Sequence, residues 1–154
     1  NYRRLTRIPA PIRTQISIAE LFTDLKKLFP EEEFQFEVPS PELKLNVDRT
    51  QIEQILINLL KNAREACSRK SDKKIQVKAR KLSAGNTTLT ISDNGEGILP
   101  DVLDKIFVPF FTTKTSGSGI GLSLCKQIMT LHEGSINVKS EVGKGSSFIL
   151  TFPK

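Results

Sequence analysis

The sequence predicts an α+β domain in which helices pack on one face of a β-sheet, forming a two-layer α/β sandwich. The strongest helical signal lies in residues 49–68, where apolar side chains recur every three or four positions. They form one stripe made of Ile52, Ile55, Leu56, Leu59, Leu60, Ala63 and Ala66. Apolar and polar residues alternate in residues 75–82, 87–92, 135–139 and 146–152, which predicts four strands. Strands grouped with helices on one side favour two packed layers.

The first fifteen residues are predicted to be a linker that precedes the folded domain. Pro9 and Pro11 oppose a helix there, and residues 2–7 are rich in arginine. Asn1 is not an initiator methionine, so we expect the chain to be part of a longer protein. The domain itself is expected to run from residue 16 to residue 154.

The region before the long helix is predicted to hold a shorter helix and two strands. Apolar residues at helical spacing begin at residue 16 and end at Pro30. Alternation in residues 34–38 and 43–47 predicts the strands. Asp48 is the expected N-cap of the long helix, with Gln51 as its partner in a capping box.

The remaining elements are two helices and two hairpin turns. A short helix is predicted near residues 101–106, and an apolar helix over residues 122–131. Gly85 with Asn86, and the pair Gly143 and Gly145, make hairpins between neighbouring strands plausible.

Composition indicates a soluble globular protein of one domain. The chain has 154 residues, 38% hydrophobic and 26% charged, which is enough to bury a core without a disulfide. No apolar run is long enough to span a bilayer, and no signal-peptide pattern opens the chain. Cys67 and Cys125 both lie in helical apolar patterns, so we interpret them as small buried residues of a reducing compartment.

The net charge of +6 does not by itself predict nucleic-acid binding. Lysine and arginine are spread along the chain, and one tyrosine without tryptophan leaves little to stack on bases. A solvated basic surface, or one suited to a triphosphate, explains the charge better. We therefore expect no nucleic-acid partner.

Two glycine-rich turns are the main functional signal in the sequence. The first, residues 93–98, follows a predicted strand and begins with Asp93; the second, residues 117–121, leads into an apolar helix. Glycine allows a ligand to approach the backbone, and a helix N-terminus favours phosphate. Either turn alone would be an ordinary loop, but the two together, with an acid in the first, predict a nucleotide site.

Asn58 and Asn62 lie one turn apart on the long helix and share one of its faces. Asparagine is a poor helix former, and its amide oxygen suits Mg²⁺. Alternatively, both side chains face solvent or cap a neighbouring loop, which is the better explanation for the pair taken alone. Glu65, one turn further on, either adds an acid to this neighbourhood or pairs with Arg69.

Five motifs in this order resemble the N, G1, F, G2 and G3 boxes of the catalytic, ATP-binding domain of sensor histidine kinases. They are Asn58-Leu-Leu-Lys-Asn62, Asp93-Asn-Gly-Glu-Gly97, Phe107-Val-Pro-Phe-Phe111, Gly117-Ser-Gly-Ile-Gly121 and Gly143-Lys-Gly145-Ser. The wider relatives are the gyrase, Hsp90 and MutL ATPases, which share the Bergerat fold with its mixed, mostly antiparallel sheet. Residues 107–114 are most similar to the nitrogen-regulator-like branch of these kinases.

The resemblance implies ATP and Mg²⁺ as cofactors and assigns residues to them. Asp93 would accept a hydrogen bond from the adenine amine, and Asn62 would hold Mg²⁺ against the phosphates. The base and ribose would lie against Gly95 and Gly97. The phosphates would lie at the helix start, and a mobile lid over residues 99–118 would carry Lys114 to them. The other residues implied to bind nucleotide are Ile98, Thr113, Gly117, Gly119, Ile120, Gly121, Leu122 and Ser146.

Asn58 distinguishes phosphoryl transfer from hydrolysis. In the ATPase relatives this position is similar to a glutamate that activates water, whereas asparagine takes no proton at neutral pH. The resemblance therefore implies a histidine kinase, with Asn58 and Lys114 as its catalytic residues. Alternatives are a module that binds ATP without transfer, and an ATPase clamp, which Asn58 and the absence of a long C-terminal transducer disfavour.

The implied partners are a dimerisation hairpin carrying the acceptor histidine, upstream in the same protein, and the receiver domain of a response regulator. The parent would be a homodimer, with this domain in the cytoplasm and away from the membrane. His132 is the one histidine of the chain. It is not the expected acceptor, since it follows an apolar helix and precedes Gly134, where a cation would suit the end of the helix. Phe107, Phe110 and Phe111 are expected to anchor the lid, touch the hairpin or join the core.

Overall fold

The computed structural model describes residues 8–109 and 120–154, and only the backbone of residues 120 and 121. Within these ranges the chain forms four helices and seven strands. The elements are β1 (Thr14–Ser17), α1 (Ile18–Leu28), β2 (Phe34–Glu37), β3 (Lys44–Val47), α2 (Arg49–Ala66), β4 (Ile75–Lys81), β5 (Thr87–Asp93), α3 (Pro100–Leu103), α4 (Ile120–Leu131), β6 (Ser135–Glu141) and β7 (Gly145–Phe152).

Five strands form one sheet in the order β2-β4-β5-β7-β6. The β2–β4 pair is parallel, and the other three pairs are antiparallel. Alternate residues of the central strands are buried, such as Leu89 and Ile91 in β5, while Thr88 and Thr90 between them are half-buried. Helices α2 and α4 pack on this apolar face. The predicted two-layer sandwich with a mixed, mostly antiparallel sheet is therefore confirmed.

Strand β1 shows that the chain enters the fold earlier than predicted. Residues Thr14–Ser17 pair antiparallel with β3, so Thr14 and Gln15, assigned to the linker, lie in a strand. The prediction of helix from residue 16 was also wrong, since α1 begins at Ile18. The hydroxyl of Ser17 accepts a hydrogen bond from the N–H of Glu20 and caps that helix.

Helix α2 begins as its N-cap predicts, but the capping box is incomplete. The Asp48 carboxylate accepts the N–H of Gln51 at 3.1 Å. The Gln51 side chain does not return to the N–H of Asp48 and instead donates to the carbonyl oxygen of Pro9 at 2.9 Å. That half of the prediction was wrong because tertiary contacts supply other partners for both groups.

Helix α4 ends at Leu131, as predicted. Glu133, with φ of 61°, takes the left-handed conformation just beyond the helix, which the sequence did not indicate. The N–H of Gly134 then bonds the carbonyl of Met129 at 2.8 Å, as in a Schellman motif. Gly134 is needed for a different reason, since a Cβ there would overlap the carbonyl oxygen of Thr151 on β7.

Both predicted hairpins are present. Gly85 lies between β4 and β5 with φ of 101°, Gly143 lies between β6 and β7 with φ of 84°, and Gly145, the first residue of β7, has φ of 127°. These angles are unfavourable for residues that carry a Cβ. No helix in the described part of the chain is long and apolar enough to cross a membrane.

Candidate nucleotide-binding site

Asp93 is the last residue of β5, and its carboxylate is held by two backbone donors. The N–H of Gly95 bonds its Oδ1 at 2.9 Å, and the N–H of Ser146, opposite it on β7, also donates to it. Burial raises the pKa of the Asp93 carboxyl above its ordinary value of 3.8, while the two N–H groups act in the opposite direction. The carboxylate is thus fixed in orientation and poorly solvated.

Two serine hydroxyl groups beside Asp93 connect the turn at residues 93–98 to the turn between β6 and β7. The hydroxyl of Ser140 on β6 accepts the N–H of Ile98 at 2.8 Å and lies 2.8 Å from the hydroxyl of Ser146. Ser146 is buried, and Ser140 is half-buried. Ser146 was predicted to contact the adenine, whereas Ser140 was missed. Only the pairing of β6 with β7 brings Ser140 here, so no motif in the sequence marks it.

Gly95 and Gly97 are required by packing within the domain. A Cβ on Gly95 would lie 2.5 Å from the carbonyl oxygen of Ala66 at the end of α2. Gly97 has φ of 79°, and a Cβ there would overlap the backbone of Glu141. The turn after β5 is therefore wedged between α2 and the β6–β7 hairpin. The predicted role of both glycines in admitting the base and ribose stays a prediction.

Asn94 fixes the other side of the turn, which the sequence did not indicate. Its Oδ1 accepts the N–H of Lys74 at 2.9 Å, and its Nδ2 donates to the carbonyl of Asp72 at 2.8 Å. The thiol of Cys67 also reaches Oδ1, at 3.5 Å. Since Asn94 follows Asp93 directly, these bonds tie the loop after α2 to the predicted adenine-binding residue.

Asn58 and Asn62 are half-buried on the same face of α2. The Asn58 side chain is hydrogen-bonded to the thiol of Cys125 on α4, and burial raises the pKa of that thiol to about 12. The open alternative that Asn58 simply faces solvent is thus wrong. Asn58 contributes to the contact between α2 and α4, and its catalytic role stays a prediction.

Most of the second glycine-rich turn, residues 117–121, lies outside the described residues. Helix α4 begins at Ile120, followed by Gly121, and Leu122 is half-buried against the core. The predicted phosphate and lid residues Thr113, Lys114, Gly117 and Gly119 lie outside the described residues, as do Phe110 and Phe111. What the structure gives is the start of α4, beside the α2 face that carries Asn58.

The described part of the predicted lid packs on α4. Ile106 is buried, and the ring of Phe107 lies 5.8 Å from the ammonium of Lys126. Phe107 also lines a cavity of about 410 Å³ beside α4, together with Ile8 and Leu131. Phe107 thus joins the core in part, as one interpretation of the F box expected. A further cavity of about 1050 Å³, at the start of β2, contains none of the predicted site residues.

His132 is buried, so its ring is not accessible to a phosphoryl donor. Its Nε2 accepts the N–H of Asp48 at 3.1 Å, and its Nδ1 lies 2.9 Å from the carbonyl oxygen of Ile128. Because an N–H can only donate and a carbonyl oxygen can only accept, these two contacts use Nε2 as an acceptor and Nδ1–H as a donor. The favourable effect of a cation on the end of α4 stays a prediction.

Comparisons with known proteins agree with this geometry. Residues 47–154 match the family model described as histidine kinase-, DNA gyrase B- and HSP90-like ATPase. The sensor histidine kinase ZraS of Salmonella typhimurium is 39% identical over 110 residues, which are 71% of this chain. They are only 23% of ZraS, so the chain spans about a quarter of that relative.

Solved structures extend the match to nearly the whole chain. The catalytic domain of the histidine kinase ThkA superposes with a TM-score of 0.81 and 35% identity, covering 92% of this chain and 95% of that one. ThkA in complex with the response regulator protein TrrA gives a TM-score of 0.74, with 31% identity and coverage of 92% and 42%. The chain therefore belongs to the histidine kinase-, DNA gyrase B- and HSP90-like ATPases, and within them to the ATP-binding catalytic domains of sensor histidine kinases.

Proposed function

We propose that this domain binds Mg·ATP and delivers its γ-phosphate to a histidine on a separate dimerisation hairpin, from which it passes to an aspartate of a response regulator. The observation that carries the proposal is Asp93. Its carboxylate is half-buried, oriented by two backbone N–H groups and set between glycines at the end of a central strand. A carboxylate kept there despite the cost of burial is typical of a functional site.

Asp93 supplies the specificity of the proposed site. An ionised carboxylate only accepts hydrogen bonds. Adenine presents an exocyclic amine that donates, whereas guanine presents a carbonyl oxygen at the same place. An unpaired buried acceptor costs about 1 to 3 kcal/mol, so ATP is expected to bind at least about fivefold more tightly than GTP.

Asn62 is the proposed protein ligand of Mg²⁺. Mg²⁺ typically takes one or two protein oxygens and completes its shell with water and phosphate oxygens. Asn62 fits such a site, because it is half-buried on α2 and offers an amide oxygen. Bound with ATP, the ion would neutralise phosphate charge. Thr113, Lys114, Gly117, Gly119 and Gly121 are the proposed phosphate contacts.

Asn58 favours transfer over hydrolysis in this proposal. Its side chain is bonded to Cys125 and has no basic atom with which to activate water. The acceptor histidine must come from another segment, since the His132 ring is buried with both nitrogens engaged. The ThkA–TrrA complex supports a response regulator as the second partner. The parent is proposed to be a homodimer that has this domain in the cytoplasm. Residues 1–13, which precede β1, are proposed to be the linker from its hairpin.

Calorimetric titration of ATP and GTP, with and without Mg²⁺, tests the binding step. We expect ATP to bind with Mg²⁺, GTP to bind at least about fivefold more weakly, and Asp93→Asn to lose binding by about 100-fold. Glu42→Gln, which removes one exposed carboxylate between β2 and β3, is the matched control and should bind as the parent does. A folded chain that shows no binding at millimolar ATP would contradict the proposal.

Labelling with γ-³²P ATP tests the transfer step in the longer protein that includes the hairpin. We expect acid-labile label on a histidine of the hairpin, and its passage to a receiver domain. Binding of ATP without any label would instead identify a module that senses ATP. Asn58→Glu should not raise ATP hydrolysis, and a large increase would favour the ATPase-clamp interpretation.

A further inference from the structure

The segment Ile8–Arg13, called here the strap, lies across the ends of two helices before the chain enters β1. The carbonyl of Pro9 accepts from Nε2 of Gln51 at 2.9 Å, and the N–H of Ile12 donates to the Asp48 carboxylate at 3.0 Å. The guanidinium of Arg13 donates to the carbonyl of Leu131 at 3.1 Å. The strap therefore bonds both the first turn of α2 and the last residue of α4.

Gln51 shows how much α2 depends on the strap. Its side chain is buried, 8% exposed, and its Oε1 has no hydrogen-bond partner within the part of the chain that the structure describes. The bond from Nε2 to Pro9 is thus what satisfies this amide. A buried amide without its partner is costly, so a shift of the strap forces a rearrangement at the start of α2.

His132 connects Asp48, at the start of α2, to α4. Asp48 receives the strap at its carboxylate and gives its own N–H to Nε2 of His132, whose Nδ1–H bonds the carbonyl of Ile128 within α4. The His132 ring is 2% exposed, so neither bond is easily replaced by water. Strap, α2 and α4 therefore share one continuous hydrogen-bonded junction.

The strap also lies near the described part of the predicted lid. The side chain of Ile8 is half-buried against the core and lines the 410 Å³ cavity with Phe107 and Lys126. The strap thus bonds the helix that carries Asn58 and Asn62 and the helix that begins at Ile120, and it shares a cavity with the F box. None of the strap's own residues belongs to the predicted nucleotide contacts.

We propose that the strap transmits the position of the chain before Ile8 to the relative placement of α2 and α4, and so adjusts the affinity for nucleotide. The second part rests on the proposed function. Packed helices shift as units, and Asn58 meets Cys125 where α2 and α4 touch. Pulling the strap away removes the partners of Gln51 and Asp48, which frees the two helix ends that the junction holds together.

The double variant Gln51→Leu, Arg13→Ala tests the coupling in the full chain. It removes two strap bonds, yet it leaves the Asp48 cap intact and places an apolar side chain in a buried position, so the fold should persist. We expect amide hydrogen exchange of Ile12 to accelerate about tenfold, with exchange along residues 123–129 of α4 rising about threefold or more. Mg·ATP should then bind about fivefold more weakly.

Ile136→Val on β6 is the control, since it loosens the core without touching the strap. It should leave the exchange of Ile12 and the affinity for Mg·ATP unchanged at a comparable loss of stability. The proposal would be overturned if the double variant exchanged faster at Ile12 while both the exchange of α4 and the affinity for Mg·ATP stayed unchanged. A parent chain that binds no nucleotide would refute the proposed function instead, and the exchange of α4 would still decide whether the strap is coupled.

Discussion

Two carboxylates, Asp48 at the start of α2 and Asp93 at the end of β5, show opposite uses of the same side chain. The pKa of Asp48 is lowered, chiefly by the hydrogen bond from the N–H of Ile12 and less by the N–H of Gln51. The pKa of Asp93 is raised, chiefly by burial. Both accept backbone donors, so the difference lies in how much water each carboxylate keeps.

The contrast separates a carboxylate that stabilises the fold from one that the fold tolerates. Ionised Asp48 satisfies helix N–H groups and favours the folded state. Ionised Asp93 is held in a poorly hydrated place, which opposes folding and leaves the charge available to a donor from a ligand. Changes around Asp48 are thus expected to lower the stability of the fold, whereas changes around Asp93 are expected to weaken ligand binding.

The largest expected effect comes from displacing Asp93 through its neighbour Gly145. Gly145 has φ of 127°, and a Cβ there would overlap the carbonyl oxygen of Asp93. Gly145→Ala should cost about 3 kcal/mol or more of unfolding free energy. Gly143→Ala, with φ of 84° and open space around it, is the matched control and should cost only about 1 kcal/mol. Chemical denaturation of both variants measures the difference, and equal losses would contradict the overlap.

Removing the helix-capping carboxylate is expected to be next in size. Asp48→Ala should lower the free energy of unfolding by about 1 to 2 kcal/mol, because the N–H groups of Ile12 and Gln51 lose their acceptor. Asp48→Asn keeps an acceptor oxygen and should lose less. Urea unfolding at pH 7 provides the measurement. A loss under about 0.3 kcal/mol in Asp48→Ala would show that water replaces the cap.

Removing the buried charge of Asp93 should raise the free energy of unfolding, whereas the two preceding changes lower it. Asp93→Asn keeps an oxygen for the N–H of Gly95 but carries no charge. Because the site is partly solvated, we expect the free energy of unfolding at pH 7 to rise by only about 1 kcal/mol or less. Thermal melting without nucleotide tests this, and a clear loss of stability would mean that the charge supports the fold.

The smallest effects, in the pH dependence of stability, should separate the two residues directly. The stabilisation from Asp48 is present above the ordinary pKa of 3.8 and is lost as the pH falls through its lowered pKa. The burial cost of Asp93 is present above its raised pKa and fades as the pH falls through it. The difference in unfolding free energy between the parent and Asp48→Asn should therefore shrink as the pH falls. The stability gained in Asp93→Asn should shrink in the same direction. A constant gap in either pair would contradict the corresponding shift.

Elements with a strong local pattern were predicted well. The long helix was expected over residues 49–68 and ends at Ala66, and the four main strands differ from their predicted bounds by at most two residues. Strand β1 was missed because four residues carry little pattern, and because its partner β3 lies some thirty residues further along the chain. The assignment to the nitrogen-regulator-like branch stays a prediction.

The candidate site divides in the same way. Asp93, Gly95, Gly97 and Ser146 were identified from their motifs, and the structure brings them together at the end of β5. Ser140 and Asn94, which hold this turn in place, were missed as structural residues because their partners come from other elements. Motifs mark residues that face a ligand, whereas the groups that position them depend on the fold.

By itself, the sequence determined the fold class, the cap at Asp48, the glycine-dependent hairpins and the family to which the chain belongs. Each of these follows from residues that are close together or from spacing along the chain. Only the tertiary structure decided the opposite environments of Asp48 and Asp93, the burial and bonding of His132 and the anchoring of the strap. These features depend on burial and on partners from distant parts of the chain: the hydrogen bonds that join the strap, Asp48, Gln51, His132 and Leu131 span 36 to 118 positions.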